Sequence, residues 1–352
     1  MRPALKAGLR PLWRDTKTVQ IGIDPRRAVA LTGLGKAAVM LTLLDGSRDT
    51  GELVRTASDL GVPPDTVSHV LRLLASAGVL DDFPAQLHKS LPDQLRSRLA
   101  PELACASLAA GDADGGAAAI ERRRAAFVRV YGAGRLGASV ATILAASGVG
   151  RVSCRDAAPA GPADLAPAGL GTGDIGTPRA EGAVRAIQRV APEAQVAEDP
   201  RLVPDLAVLT MTIGPDELAS LMRDRVPHLA VRAQEAIGVV GPLVYPGRSA
   251  CLRCVNLSKA ATDPAWPKIL AQATLAPGLP VPACDTVLAA ATAALAAGQA
   301  LALLDTRGQR LPAAADGTLE LVLPDWQWRR QAWPASPACT CGSGARGWEG
   351  SG

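Results

Sequence analysis

The chain has few aromatic residues, little net charge and no recognisable export signal. Aromatic side chains make up 3% of its 352 residues, which we interpret as biased genomic composition and not as function. The formal net charge of +4 is small for this length and does not indicate the dense basic face of a nucleic-acid-binding protein. The 48% hydrophobic and 20% charged fractions are those of a folded protein with one large domain or two ordinary ones.

The N-terminus lacks the apolar stretch and the cleavage site that follow the basic residues of a secretory signal. Long hydrophobic runs are also scarce. The one candidate, residues 287–304, is rich in alanine and only marginally long enough to cross a membrane, so we predict a buried helix of an α/β domain. We therefore expect a cytoplasmic protein without membrane association, whose cysteines are reduced.

Residues 18–83 have the pattern of a small separate module. Two short apolar segments, 18–23 and 28–31, predict a β-hairpin. Helices with one apolar face are expected to follow, and they begin near Gly35, Asp49 and Pro63. Strands followed by three helices predict a winged-helix-like domain, which we place at residues 1–90.

Residues 91–125 are predicted to form a linker, helical over 91–108 and flexible over 109–119, where Ala, Gly and Asp predominate. From residue 126 the pattern changes to alternating strands and helices. Such alternation predicts a doubly wound, mostly parallel α/β sheet over residues 126–342, followed by a tail at 343–352.

A glycine loop, Gly132-Ala-Gly134-Arg-Leu-Gly137, separates the first predicted strand of this domain from the helix that follows. In nucleotide-binding loops the first glycine permits a tight turn, the second a close approach to phosphate, and the third the packing of helix on strand. Asp156, 19 residues beyond Gly137, ends the second strand, where a carboxylate can bind ribose hydroxyls. The pattern favours a nucleotide site, for NAD or ATP, over a glycine-rich turn without ligand.

Two cysteine pairs, Cys251-Leu-Arg-Cys254 and Cys339-Thr-Cys341, lie downstream of the glycine loop. In a reducing compartment such close spacing favours a metal over a disulfide. Four thiolates would form a closed tetrahedral Zn²⁺ site, which leaves no open position for catalysis and is therefore structural. The site would attach the strands expected at 319–323 and 326–333 to the domain. Four unrelated reduced cysteines are the alternative.

These motifs together resemble the ThiF/MoeB and ubiquitin-activating-enzyme-like family. The similarity extends over residues 126–342 and is carried by the glycine loop, Asp156, segment 174–180 and, most specifically, segment 241–254. Members of this family adenylate a peptide C-terminus on a Rossmann-like domain with a four-cysteine zinc site. With residues 263–267, segment 241–254 is also similar to an actinobacterial branch of ThiF-like, leader-peptide-binding proteins of azole-peptide biosynthesis.

The resemblance implies roles for particular residues and partners. Gly132, Gly134 and Gly137 would line the phosphates of Mg-ATP and Asp156 would hold the ribose. Arg179 stands where the family has a phosphate-binding lysine, which keeps a cation but changes its geometry. The resemblance further implies a homodimer, and an N-terminal domain that docks a precursor peptide by strand addition and presents it to a YcaO-type enzyme.

Two groups that contact ATP in active members are missing. Residues 157–171 contain neither the expected Asn nor the expected Arg, and residues 210–214 lack the magnesium-binding aspartate, with Asp216 too far along the chain. Because adenylation requires charge neutralisation at the α-phosphate, these losses predict a degenerate site.

Three functions are therefore weighed. The first is a scaffold that recognises a precursor or carrier peptide. The second is an active ATP-dependent adenylyltransferase for a peptide or small-protein carboxylate. The third, DNA binding through the N-terminal domain, ranks last because only His69 and Arg72 offer contacts on the last helix of that module.

Overall fold

The structure is a computed structural model that describes residues 1–82, 91–275 and 282–342. It divides into two compact units, Met1–Glu121 and Arg122–Gly352. The boundary falls inside the segment 91–125. The predicted tail at 343–352 lies outside the described residues.

The N-terminal unit combines two small sheets with helices. Its strands are β1 (Pro3–Leu5), β2 (Pro11–Trp13), β3 (Thr18–Ile21), β4 (Val29–Thr32) and β5 (Leu80–Asp82). Its helical elements are a 3-10 helix (Gly35–Thr42), α1 (Thr50–Asp59), α2 (Pro64–Ser76), α3 (Asp93–Ala110) and α4 (Ala117–Ala125), which runs across the boundary. Antiparallel sheets form in the orders β2-β3-β4 and β1-β5. The predicted hairpin and the three helices after it are confirmed.

Local sequence explains where these elements begin and what they bury. Helix α1 starts with a capping box, in which Asp49 Oδ1 accepts from the Glu52 N–H at 2.8 Å and Glu52 Oε2 accepts from the Asp49 N–H at 2.9 Å. Fully buried side chains from the sheet and both helices meet in one cluster, which includes Ile21, Leu53 and Leu74. This core belongs to the N-terminal unit alone.

The segment 109–119 was expected to be flexible, and the structure instead places the start of α4 within it. Asp114 explains the difference. Its carboxylate accepts hydrogen bonds from the N–H groups of Gly116 (2.9 Å) and Ala118 (2.8 Å), which caps the helix. The Ala113 carbonyl also accepts from the Asp82 N–H at 2.6 Å, so this loop is joined to strand β5.

Lys6 is buried in the N-terminal unit and fully satisfied. Its Nζ lies 2.8 Å from Asp81 Oδ1 and 2.8 Å from Ser107 Oγ, and it also donates to the carbonyl oxygens of Ser107 (3.0 Å) and Asp112 (2.6 Å). The Lys6 side chain is only 2% exposed. Because Lys6 follows β1 whereas its partners lie in β5, in α3 and just beyond α3, one ammonium joins three segments that are distant in sequence.

Replacing Lys6 with methionine should destabilise this unit strongly. Asp81 would remain buried without its cation, and breaking a buried pair in this way costs about 3–5 kcal/mol. We expect a loss of this order in the free energy of unfolding, measured by urea denaturation. Arg26→Met is the matched control, since the Arg26–Asp24 pair is exposed and should matter little. Equal stability of the two variants would refute a structural role for Lys6.

The C-terminal unit is built on a seven-stranded sheet of order β12-β11-β10-β9-β8-β6-β7. Its strands are β6 (Phe127–Tyr131), β7 (Arg151–Arg155), β8 (Leu206–Leu209), β9 (His228–Gln234), β10 (Ile237–Val244), β11 (Gly317–Val322) and β12 (Gln327–Ala332). Its helices are α5 (Arg135–Ala146), α6 (Arg179–Val190), α7 (Pro215–Arg223), α8 (Leu252–Thr262), α9 (Trp266–Leu275) and α10 (Thr286–Thr306).

The sheet is mixed. Strands β7, β6, β8 and β9 are parallel, as the alternating pattern predicted. Strands β10, β11 and β12 extend it by antiparallel pairing. Alternate residues of the central strands face opposite sides, since Val128, Val130 and Val208 lie in the large core whereas Tyr131 and Leu209 pack with Leu221 of α7. Helices therefore cover both faces, and the predicted doubly wound α/β domain is confirmed.

Helix α10 is the long apolar segment that raised the question of a membrane span. It is long and apolar enough to cross a membrane, and half of its most apolar window is buried inside the protein. Small side chains such as Ala293, Ala296 and Ala300 are fully buried where α10 packs on α5 and on strands β9 and β10. These contacts are those of a core helix, as predicted.

Candidate functional site

The glycine loop follows β6 and leads into α5 at the carboxyl edge of the parallel strands. Gly132 has a φ of +91°, in the left-handed region that favours glycine. A Cβ atom at Gly132 would lie 2.6 Å from Thr210 Oγ1, and one at Gly137 would lie 1.9 Å from the Gly132 carbonyl oxygen. The close approach of loop, helix and strand β8 therefore requires both glycines.

Asp156 follows β7 and binds the backbone of the glycine loop. Its Oδ2 accepts a hydrogen bond from the Ala133 N–H at 2.9 Å, and its Oδ1 accepts one from the Ala158 N–H at 3.0 Å. The side chain is only 7% exposed. Asp156 thus fixes the loop, and each carboxylate oxygen keeps a further lone pair that could accept from a ribose hydroxyl.

Arg179, the first residue of α6, is brought to the same place and is held there by two carboxylates. Its Nε donates to Asp164 Oδ2 at 2.8 Å, and its Nη1 lies 3.6 Å from Asp156 Oδ2. Asp164 Oδ2 also accepts from the Gly161 N–H at 2.8 Å. The cation expected at the phosphates is therefore already paired within the protein.

Asp164 also approaches the loop itself. A Cβ atom at Gly134 would lie 2.9 Å from Asp164 Oδ1, so this carboxylate packs against the glycine that would approach a phosphate most closely. Sequence reasoning did not select Asp164. The available signal was its isolation, because it is the only charged residue in the Ala-, Pro- and Gly-rich stretch 157–171.

A second charged group lies at the ends of β6 and β7 and includes Glu217, an acidic residue that follows Asp216 in the first turn of α7. Tyr131 donates to Glu217 in the first turn of α7, and Arg155 Nη1 donates to the same carboxylate at 2.9 Å. Burial, and then the Glu217 hydrogen bond, raise the pKa of Tyr131 to about 12. Glu217 is thus committed to a structural network.

The four cysteines Cys251, Cys254, Cys339 and Cys341 converge, with their Sγ atoms all within 4.8 Å of one another. Three Sγ–Sγ distances are 3.8 Å (Cys251–Cys254), 3.6 Å (Cys251–Cys339) and 3.6 Å (Cys254–Cys341). A tetrahedral Zn–S site with bonds of about 2.3 Å has edges of about 3.8 Å. The geometry is therefore compatible with zinc.

The surroundings of this cluster suit a metal thiolate site. Cys251 caps the N-terminus of α8, and the positive end of the helix dipole there favours thiolates. Burial raises the pKa of the Cys251 and Cys339 thiols, so without a cation they would stay protonated. A bound metal reverses this balance because it deprotonates coordinating thiols.

Comparisons with known proteins agree with this architecture. Residues 113–224, which include the glycine loop, Asp156 and Arg179, match the model of the ThiF family. No curated protein matches the sequence.

Among solved structures, the chain is similar to E. coli MccB in a structure with succinimide (18% identity, TM-score 0.72, covering 98% of this chain and 100% of the other). It is also similar to E. coli MccB in a structure with ATP (17% identity, TM-score 0.69, covering 97% and 99%) and to PaaA (16% identity, TM-score 0.70, covering 94% and 100%). At this level of identity the structures establish the fold. Residues 113–224 therefore match the ThiF family, and the chain has a Rossmann-like fold similar to that of MccB.

Proposed function

We propose that this protein recognises a precursor or partner peptide through its N-terminal unit and presents it to a modifying enzyme, for example a YcaO-type cyclodehydratase. In this proposal the nucleotide site of the ThiF-family domain is degenerate and the domain serves as a scaffold. The observation that carries the proposal is the Asp164–Arg179 pair at 2.8 Å, which consumes the one cation expected at the phosphates.

The charges around the glycine loop support a degenerate site. An incoming triphosphate would meet the carboxylates of Asp156 and Asp164 before Arg179 could be released to it. Residues 210–214 carry no carboxylate for Mg²⁺, and Glu217 is bound to Tyr131 and Arg155. Mg²⁺ would then be held mainly by phosphates and water, which provides little help for attack at the α-phosphate.

The N-terminal unit offers a suitable edge for peptide addition. Among the residues that the structure describes, neither outer strand of the sheet β2-β3-β4 has a partner strand on its other side. Strand β2 begins with Pro11, which has no N–H to donate, whereas β4 has no proline. An extended peptide that pairs with β4 would gain main-chain hydrogen bonds without displacing any part of the unit.

Similar proteins make a peptide ligand reasonable. MccB from E. coli has been solved with MccA in several forms, including N-formylated MccA. This chain shares the fold of MccB over 97% of its length. Peptide binding can persist after loss of adenylation, because it depends on a sheet edge and not on the nucleotide site.

We expect peptide binding to protect β4 and to leave β2 unchanged. Short peptides encoded beside the gene would be labelled and titrated into the full chain, and the peptide that binds would be used in amide hydrogen exchange. Exchange should slow at residues 29–32 because their free N–H groups become hydrogen-bonded. A scrambled peptide of the same composition is the control. Protection confined to the C-terminal unit would contradict the proposed mode of recognition.

We further propose that the four cysteines hold a structural Zn²⁺ that attaches the C-terminal segment to the domain. Cys251 and Cys254 belong to α8 and its N-terminal cap, whereas Cys339 and Cys341 follow the edge strand β12. All six residues of β12 are exposed, so its own packing contributes little. The metal would therefore attach the segment after β12 to α8, because burial of the β12 side chains does not.

The purified chain should contain about one zinc ion, and Cys254→Ser should lose it. Loss of the metal should also loosen the pairing of β12 with β11, so trypsin should cut after Arg329 and Arg330 sooner than in the unmodified chain. Cys105→Ser is the matched control, because Cys105 is exposed and distant in sequence from the cluster. Unchanged zinc content in Cys254→Ser would refute the assignment.

An active adenylyltransferase is the second candidate function, and Asp164 is the observation that favours it. A carboxylate close to Gly134 is a possible substitute for the missing magnesium ligand. In that case Asp164 would assist the binding of Mg-ATP, whereas in the scaffold proposal it opposes binding.

A further inference from the structure

A cavity of 470 Å³ lies in the C-terminal unit, away from the glycine loop. Its wall includes Ala126, Asp205 and Pro227, which immediately precede strands β6, β8 and β9. The cavity is therefore at the amino edge of the parallel strands, whereas the glycine loop follows the carboxyl end of β6. An inference about it is independent of the function proposed above.

The cavity has the size and the lining of a small-molecule site. Pockets for such ligands typically enclose about 300–1,000 Å³ and are mostly apolar with a few polar groups. Here Val203, Val226, Leu304 and the ring of Tyr245 form an apolar wall. Tyr245 is fixed in place by Arg248, whose guanidinium lies 4.7 Å from the ring centroid.

Three arginines line the same cavity: Arg122, Arg225 and Arg307. Within the described part of the chain, none of them has a side-chain hydrogen bond or ion pair, and Arg122 Nε is buried without a partner. A buried donor without a partner costs about 1–3 kcal/mol, more for a charged group. For Arg122 this cost is avoided if a ligand supplies the acceptor, whereas Arg225 and Arg307 are exposed and can turn to the same ligand.

The acidic residues of the cavity do not neutralise these arginines. Asp205 Oδ2 accepts from the Phe127 N–H at 2.8 Å. Asp224 Oδ2 accepts from Ser220 Oγ at 2.9 Å, and Arg223 lies 3.5 Å from the other oxygen. Both carboxylates thus have hydrogen-bond partners outside the cavity, and its lining keeps an excess of one positive charge, three guanidinium groups against two carboxylates.

Two of the arginines have a left-handed backbone conformation, which is unfavourable for residues other than glycine. Arg225 has a φ of +56° and Arg307 a φ of +50°, at the C-terminal ends of α7 and α10. Glycine is the usual residue there, and an L side chain in this region costs about 1 kcal/mol. A cation near a helix C-terminus is favourable, but that effect does not require a left-handed residue. Both residues line the same cavity, which suggests that the side chains themselves are needed there.

We propose that this cavity binds a small organic anion. The ligand would be a carboxylate or a phosphate ester that also carries an apolar group about the size of one six-membered ring. The anionic group is bound by Arg122, Arg225 and Arg307, which donate charge-assisted hydrogen bonds. The apolar body packs against Val203, Val226 and Leu304. Neither a neutral ring nor a free inorganic anion satisfies both parts of the cavity.

The test is calorimetric titration of the full chain with phenyl phosphate, benzoate, inorganic phosphate and benzyl alcohol. We expect saturable binding of phenyl phosphate or benzoate, at least about tenfold tighter than inorganic phosphate and absent for benzyl alcohol, because burial of the ring adds to the ionic contacts. The preference between phenyl phosphate and benzoate identifies the natural ligand as a phosphate ester or a carboxylate.

Arg307→Gly and Arg122→Met test the assignment of the arginines. Glycine fits the left-handed backbone at residue 307, so this variant should melt at the same temperature as the unmodified chain or higher. Each variant should weaken binding at least about tenfold, which corresponds to the loss of one charge-assisted hydrogen bond. Arg201→Gln, a change at an arginine that is 88% exposed and outside the cavity, should have no effect.

Three results would overturn the proposal. One is no saturable binding of phenyl phosphate or benzoate at millimolar concentration. Another is binding that Arg307→Gly and Arg122→Met leave unchanged in correctly folded protein. The third is equal weakening by Arg201→Gln, which would indicate a non-specific charge effect.

Discussion

The proposed function depends on the ion pair between Asp164 and Arg179 beside the glycine loop. Nucleotide loops depend on backbone N–H groups and a free cation that together receive a phosphate. Here Asp164 forms an ion pair with Arg179 and packs against Gly134, while Asp156 accepts a hydrogen bond from the N–H of Ala133 in the loop. Two like charges about 4 Å apart near a protein surface repel by about 4 kcal/mol, so a phosphate must either displace Asp164 or bind weakly.

Several features of the molecule do not depend on whether a nucleotide binds. Packing against Thr210 and within the turn requires Gly132 and Gly137 in either case. The N-terminal unit has its own core and a buried lysine network, so its edge strand β4 is presented on a stable support. The four cysteines converge beyond the other end of the sheet, in a geometry compatible with zinc.

Sequence reasoning worked where the signal is local or carried by a motif. The helix start near Asp49, the glycine loop and the two cysteine pairs could each be recognised from a short stretch of sequence. It was less informative where function depends on distant segments. The side chains of Asp164 and Arg179 form an ion pair although the two residues are 15 positions apart in sequence. The three cavity arginines likewise come from the ends of three separate helices. Nor did it indicate that β10 to β12 would extend the sheet by antiparallel pairing, because strand direction is decided by tertiary packing.

Calorimetric titration of the zinc-loaded chain with Mg-ATP, before and after Asp164→Ala, tests the central claim most directly. If Asp164 prevents nucleotide binding, titration of the unmodified chain with micromolar Mg-ATP should show no saturable heat. Its removal should then free Arg179 and tighten binding at least about tenfold. Micromolar binding by the unmodified chain that is weakened by Asp164→Ala would contradict this account, and would identify Asp164 as part of a working nucleotide site.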